Sequence, residues 1–533
     1  MIGLLIQDNA YEQDLRDLLM SFYPGETYAH EIKDGVEFYV ETRRGEGRIS
    51  VCIWGREEGQ PGAGGPLTEA GNGQPGVGSP LTEAGNPQPL PGNGQPAHKD
   101  SSALPGTPEG LESFRLEAYR TGESDQSDHA ATKNVVKQMF YHMLVKRTGR
   151  KLPWGSLTGI RPSKIALTRL EEGWKEEDIR TFMKDTYMAS DEKIGLSIEI
   201  AAREKKLLEP LDYERGYSLY VGIPFCPTTC LYCSFTSYPI NKWTGRTGLY
   251  LEALFRELEY TAKKMEGRPL DTIYFGGGTP TSLPAGDLDS ILCKLERLFD
   301  TKHVLEFTVE AGRPDSITPE KLTVLRSHGI TRISINPQTM NQRTLDLIGR
   351  RHTVEMVRER FAMARELGFD NINMDLIMGL PEENLDDVHR TLEEVKKLSP
   401  DSLTVHSLAI KRAARLNMFK EEYGNLKISN TPEMIDLSAA CAREMGMEPY
   451  YLYRQKNMAG NFENVGYSLP GKACIYNILI MEEMQTIAAC GAGTTTKVVF
   501  PSENRRERCE NVKEVEQYIS RIDEMIRRKE RVL

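Results

Sequence analysis

From Tyr217 onward the chain alternates short apolar runs with stretches at helical spacing, and no other feature restricts its fold so tightly. The apolar runs are Ser218–Gly222, Thr272–Phe275, Leu305–Glu310, Arg332–Ile335, Asn371–Ile377 and Ser402–Leu408. Between them lie Leu249–Lys264, Leu288–Phe299, Pro319–Ser327, Val354–Leu367 and Leu385–Lys397. Gly329 and Gly368 follow two of these stretches, where helices commonly end on glycine. Six strand–helix units predict an α/β fold with a parallel sheet and helices outside it, arranged as a partial (β/α)6 barrel. In such barrels the chemistry gathers at the C-terminal ends of the strands.

The polar residues fall where that rule wants them. The first strand runs into Cys226, Cys230 and Cys233, spaced C-x3-C-x2-C. Three thiolates so close in sequence can surround one compact inorganic centre. A [4Fe–4S] cube takes one cysteine per iron, so three leave one iron open to bind something else. A zinc knuckle would need a further ligand pair at regular spacing, and none follows. The second strand leads into Gly276-Gly277-Gly278-Thr279, where backbone can approach a ligand without a Cβ in the way. Glu310 ends the third strand, Asn336-Pro337-Gln338 follows the fourth, Asp375 and Ile377 lie on the fifth, and His406 with Ser407 on the sixth. Each alone reads as a solvated carboxylate or a hydrogen-bonded structural group. Their convergence on one barrel mouth is the stronger signal.

The rest of the 533 residues suggests further domains. Residues 1–125 read as a small α/β domain, with strands Gly3–Gln7, Val36–Thr42, Arg48–Trp54 and Ser113–Tyr119 and a helix Tyr11–Phe22. A Gly/Pro-rich insert, about 57–110, interrupts it; Gly59–Asn72 recurs almost unchanged as Gly73–Asn86, a composition that predicts disorder. Residues 126–212 read as a helical connector, broken by a Pro153-Trp154-Gly155 loop carrying Arg161 and Lys164; a turn fixed against the core is the favoured role, and Arg161 and Lys164 facing an acidic ligand the alternative. Residues 213–410 are the barrel and 411–533 a C-terminal α+β, substrate-side domain. The chain has no run of eighteen apolar residues, no secretory signal is apparent, and a net charge of −10 argues against general nucleic-acid affinity. Nine cysteines without framework spacing point to a reducing cytoplasm.

The cysteine loop followed by a six-unit barrel resembles the radical S-adenosylmethionine (SAM) superfamily. More narrowly, Tyr220 to Cys226, Tyr274 to Thr281, Gln338 and Asn373 to Pro381 resemble the oxygen-independent coproporphyrinogen III oxidase (coproporphyrinogen dehydrogenase) family. The N-terminal extension and the Leu152 to Lys164 loop are similar to its Z-type branch. The resemblance implies that Cys226, Cys230 and Cys233 hold a [4Fe–4S] cluster whose fourth iron is chelated by SAM. Gly277, Gly278, Thr279, Glu310, Gln338, Arg350 and Asp375 match positions that hold SAM, with Tyr232 and Ile377 beside the cluster or adenine. Tyr220 and Arg454 are the catalytic candidates. It implies reductive cleavage of SAM, hydrogen abstraction from a substrate propionate and loss of carbon dioxide, twice, converting coproporphyrinogen III to protoporphyrinogen IX. A tetrapyrrole substrate and a reduced flavodoxin- or ferredoxin-like electron donor are the implied partners. Four propionates need cations, and Arg454, Lys456, Lys497, Lys411 and Arg412 are candidates.

The chain departs from the family pattern at three places. Phe235 stands where the oxidases place a further cysteine, and Gly222 where they place a histidine. The related haem-chaperone branch shares the phenylalanine but carries a His-Asn-x-x-Tyr-Trp motif, and here that stretch is Glu463-Asn464-Val465-Gly466-Tyr467-Ser468. A haem or tetrapyrrole carrier, and a radical SAM enzyme acting on another tetrapyrrole, are therefore the alternatives to the oxidase.

Overall fold

The computed structural model describes residues 1–6, 11–45, 48–56, 114–123, 129–159, 161–409, 411, 414–419, 423, 425–455 and 462–533. The repeat insert lies outside the described residues, as do Lys456 and Arg412. The chain divides into two compact units, Met1–Arg16 with Gly25–Gly149, and Asp17–Pro24 with Arg150–Leu533.

The first unit is built on a five-stranded sheet. Its strands are β1 (Ile2–Ile6), β2 (Tyr28–Ala29), β3 (Phe38–Gly45), β4 (Arg48–Arg56) and β5 (Phe114–Glu123), in the order β2-β1-β3-β4-β5. β1 runs parallel to β2 and β3, while β3, β4 and β5 form antiparallel pairs. Phe38, Val40, Val51 and Trp54 are buried, and Trp54 donates its indole N–H to Glu41 at 2.8 Å. The two-residue β2 was too short to announce itself by alternation.

The second unit holds an eleven-stranded sheet, and its middle is the expected partial barrel. β6 (Tyr217–Ile223), β9 (Leu270–Gly277), β10 (Glu306–Gly312), β11 (Arg332–Ile335), β12 (Ile372–Met378) and β13 (Ser402–Ser407) lie side by side, all parallel. Two short strands, β7 (Phe225–Cys226) and β8 (Tyr238–Pro239), pair with each other around the cysteine loop. The sheet is open, not closed. The intervening helices start at identifiable caps: Thr318 accepts from Lys321 N–H, Thr353 from Met356 N–H, and Asn384 forms a capping box with Asp387.

Two domain boundaries read from the sequence differ in the structure. The helical connector divides, its first helix, His129–Thr148, belonging to the first unit and the helices Pro162–Glu171, Glu176–Tyr187 and Asp191–Leu208 to the second. Residues 411–533 are not a separate domain. β14 (Glu448–Tyr453) and β15 (Asn464–Ser468) add to one edge of the barrel sheet, and β16 (Thr486–Cys490), β17 (Thr495–Phe500) and β18 (Arg505–Glu510) to the other. β16 pairs parallel with β6, Cys490 facing Val221, so it is a seventh parallel strand. The physical reason is the open sheet: both edges of a buried parallel sheet carry unpaired N–H and C=O groups that must be covered.

A buried polar knot fastens this edge. Lys529, at the far end of the chain, donates to the Ala489 carbonyl on β16 at 2.5 Å and pairs with Glu257 at 2.7 Å. Glu257 also accepts from Gly491 N–H at 2.7 Å and from the Asn511 side-chain amide at 2.7 Å.

Candidate active site

The cysteine loop is held from several sides. Leu231 N–H donates to the Ile348 carbonyl at 2.9 Å, and the Thr228 hydroxyl to the Gly349 carbonyl at 3.0 Å. From the neighbouring strand, Gly278 N–H donates to the Ile223 carbonyl and Thr279 N–H to that of Phe225, both at 2.7 Å. A Cβ at residue 278 would sit 2.5 Å from the Phe225 carbonyl oxygen, so only glycine allows this approach. The N–H groups of Gly278 and Thr279 are thus spent on the cysteine loop. The Thr279 hydroxyl lies 3.4 Å from the Cys226 sulfur.

Sequence reasoning missed the most heavily engaged side chain here. Arg313, 4% exposed, donates in fork fashion to Asp315 at 2.9 and 2.6 Å. Its other nitrogen donates to the carbonyl and hydroxyl oxygens of Thr228, at 2.9 and 2.7 Å, and stands 3.8 Å from the Cys230 sulfur. The signal was available: Arg313 directly follows the third barrel strand. Arg350, also buried, donates to the Tyr232 hydroxyl at 3.0 Å and to the Asn336 carbonyl at 2.8 Å. Ile377 packs in a small apolar cluster with Leu231, Ile348 and Leu416, against which Tyr232 lies.

The thiols suit a cluster better than a single ion. As a set the three sulfurs do not come within 4.8 Å of one another. One tetrahedral ion demands closer ligands, whereas a cube takes each thiolate on a different iron. Burial pushes the Cys226 thiol up to about 11 and raises that of Cys233, so iron, in binding, must displace their protons. The guanidinium groups of Arg313 and Arg350 supply positive charge beside what would be an anionic centre.

Around the mouth, Glu310 accepts from the Tyr274 hydroxyl at 2.6 Å. Burial, reinforced by Asp375, pushes its carboxyl up to about 7 against that hydrogen bond. Asp375 is half-buried, and desolvation by itself would raise it. The neighbouring His406, with Nε2 at 3.9 Å, and the Asn373 amide, donating at 2.7 Å, hold it below the usual carboxylate range. Two carboxyl groups facing one space complement a cationic ligand and ribose hydroxyls. Gln338 adopts a left-handed backbone (φ 69°), donating its N–H to the Asp375 carbonyl at 3.0 Å and accepting from Ile377 N–H at 2.9 Å. Tyr220 stacks on Tyr274 and on Tyr476, and Tyr274 and Tyr476 lie 4.4 Å apart as stacked rings. Tyr453 stacks on Tyr451 and reaches His406 Nδ1 at 3.4 Å.

Of the three expected substrate cations among the described residues, two are occupied. Arg454 is buried, donates to the Leu157 carbonyl at 2.6 Å and lies over the Trp154 ring at 5.5 Å, contacts that hold the 153–159 loop. Lys497 pairs with Glu483 at 3.4 Å. Arg161 and Lys164 donate to the carbonyls of Met481 and Glu482, at 2.9 and 2.6 Å. Lys411 remains, 5.6 Å from the centre of the Phe235 ring, which is 70% exposed. Glu463 is buried, accepting from the Trp154 indole at 2.8 Å and pairing with Lys193 at 2.9 Å.

A profile of the radical SAM superfamily matches residues 220–395. Over 427 residues the chain is 41% identical to the oxygen-independent coproporphyrinogen-III oxidase-like protein HemZ of Bacillus subtilis (strain 168), spanning 79% of this chain and 85% of that protein. The chain belongs to the radical SAM family of the HemN and HemZ type. Its cofactors are those of the family, a [4Fe–4S] cluster and SAM, and the three-thiol loop fits the first of them. This radical SAM chain is also 38% identical over 194 residues to the heme chaperone HemW of Bacillus subtilis, spanning 36% of this chain and 50% of that protein. It is 33% identical over 196 residues to the oxygen-independent coproporphyrinogen III oxidase of Escherichia coli (strain K12), spanning 37% and 42% of the two chains. The solved structure of coproporphyrinogen III oxidase (HemN) from Escherichia coli superposes with a TM-score of 0.48 at 24% identity, covering 59% of this chain and 70% of that one. Among the described residues no helix is long and apolar enough to cross a membrane.

Proposed function

We propose that this chain is a radical SAM oxidoreductase that decarboxylates coproporphyrinogen III oxidatively to protoporphyrinogen IX. The observation that carries the reading is that the cysteine loop, Glu310 and Asp375 all belong to one open barrel, with the stacked rings of Tyr220, Tyr274 and Tyr476 beside Glu310. When bound, the cluster and SAM supply a hydrogen-abstracting radical. Cys226, Cys230 and Cys233 hold the cluster, and Glu310, Gln338 and Asp375 hold SAM. Thr279 orients Cys226, and Arg350 fixes Tyr232. Gly277 offers the surface of its backbone to the methionine end. Tyr220 with Tyr274 and Tyr476, and Tyr451 with Tyr453, offer flat apolar walls to a tetrapyrrole, with few waters beside the reacting carbon. Lys411 is the cation for a propionate. A reduced flavodoxin- or ferredoxin-like protein is the electron donor, and unpaired cysteines throughout the described chain suit a reducing cytoplasm.

The haem-carrier reading is weaker because Glu463, where the chaperone branch has its motif histidine, is committed to Trp154 and Lys193. The deciding experiment is anaerobic turnover of the reconstituted protein with SAM, a strong reductant and coproporphyrinogen III, followed by mass spectrometry. Loss of two carboxyl groups together with release of 5′-deoxyadenosine is expected, and Cys230→Ala abolishes both. Deoxyadenosine without decarboxylation would move the substrate elsewhere, and tight haem binding without SAM cleavage would replace the proposal by a carrier.

A further inference from the structure

Outside the barrel mouth, a group of side chains of metal-ligating type meets on the outer helices. Asp289, Cys293 and Glu296 are spaced four and three residues apart on the helix Ala285–Leu298, so they share one face. His328 caps the neighbouring helix Pro319–Ser327, just before Gly329, whose φ of 68° turns the chain away. One ligand atom each from Asp289, Cys293 and His328 lie within 4.8 Å of one another, the only such trio among the described residues.

The distances suit one ion. His328 Nε2 is 3.0 Å from an Asp289 oxygen, and the Cys293 sulfur is 3.9 Å from the other oxygen of that carboxylate. Ligands at 2.0–2.3 Å around a tetrahedral ion stand about 3.3–3.7 Å apart, so small side-chain shifts close the shell. The second ring nitrogen of His328 lies 2.7 Å from a Glu296 carboxylate oxygen. A carboxylate behind a histidine fixes the tautomer and turns the other nitrogen toward a metal. The side chain of His328 is 10% exposed and that of Asp289 50%, so the imidazole is anchored while solvent reaches the site from the aspartate side.

We propose that Asp289, Cys293 and His328 bind a divalent transition ion of the zinc class, with Glu296 positioning His328. The mix of one carboxylate, one thiolate and one imidazole is the donor set such ions take, and it leaves a fourth position to water. Binding releases the Cys293 proton. The ion ties together the two helices that follow β9 and β10, the strands that present the glycine loop and Glu310. It therefore braces the barrel from outside and takes no part in the radical chemistry.

The test uses cluster-loaded protein, so that the loop cysteines are already committed to iron. After dialysis against a weak chelator, zinc is added at increasing free concentration, and zinc and iron per chain are measured by atomic emission. About one zinc per chain is expected, with iron content unchanged and the thermal midpoint raised. Cys293→Ser and His328→Gln are each expected to weaken zinc binding at least tenfold without loss of iron, and Glu296→Gln to weaken it less. Failure of the native protein to retain zinc overturns the proposal, as does zinc binding that neither substitution changes. The stoichiometry is read without turnover, so it stands or falls separately from the decarboxylase reading.

Discussion

Gly222 offers the sharpest test of how the C-terminal strands complete the cysteine strand. A Cβ at this position would stand 2.3 Å from Thr494 Cγ2 and 3.4 Å from Tyr220 Cε1. Carbon atoms pack at about 3.5–4.0 Å, so Thr494 would have to retreat by more than about 1 Å. It is poorly placed to do so. Its side chain is β-branched, its hydroxyl donates to the Gly491 carbonyl at 2.8 Å, and it receives the Asn511 amide at 3.2 Å. Gly222 itself has no positive φ, so alanine meets no backbone strain and the clash alone sets the cost. Either the core shifts, at about 1–3 kcal/mol, or the Thr494 hydrogen bonds break, at about 1 kcal/mol each. Gly222→Ala should therefore destabilise the second unit by about 2 kcal/mol. Thr494→Ser removes Cγ2 and keeps the hydroxyl, costing about 1 kcal/mol for the lost buried methyl. In the double variant the clash is gone, and the cycle should show a favourable coupling of about 1–2 kcal/mol. Urea unfolding of the four proteins without cluster measures it. Additive losses within about 0.5 kcal/mol would refute the claim that Thr494 fills the space beside residue 222.

Two other perturbations follow from the site. Arg313→Met leaves Asp315 half-enclosed without its partner and frees Thr228, which should cost about 3–5 kcal/mol and lower the iron retained per chain. Full iron content with an unchanged unfolding midpoint would dismiss Arg313 as the brace of the loop. The Glu310 carboxyl, raised to about 7 by burial, keeps its proton in the folded chain where an unfolded chain, at the ordinary 4.5, has lost it. Its contribution to stability falls as pH rises from 4.5 to 7 and is constant above that. Glu310→Gln should remove this slope. Its thermal midpoint relative to the native apoprotein should rise between pH 5 and pH 8, and an identical difference at both would contradict the shift.

The six barrel strands were legible because a buried parallel strand is a continuous apolar run, and the observed edges differ by only a residue or two. The candidate site residues could be picked out because strand ends are where such a sheet exposes polar groups. What escaped was set by distance in the chain. β16, Thr486–Cys490, is as apolar as the barrel strands, but nothing local says that it pairs with β6. Arg454 reads as a free cation until Leu157 and Trp154 are seen against it. Arg313 stands right after the third barrel strand, a position that marks it, but its contacts with residues 228 and 230 come together only in the folded chain.

The pairing of β16 with β6 also sets an order of events during synthesis. The strand that leads into the cysteines emerges early and finds β9 soon after, but its other edge has no partner until residues beyond 486 leave the ribosome, and Lys529 closes the knot only later still. For most of its synthesis the nascent chain thus carries the cluster loop beside an open strand edge, a surface prone to wrong pairing. Iron loaded before the last helix has docked would be loaded beside an unfinished wall, and a chain cut short before residue 486 would keep every cysteine of the loop and still lack the strand that pairs with β6.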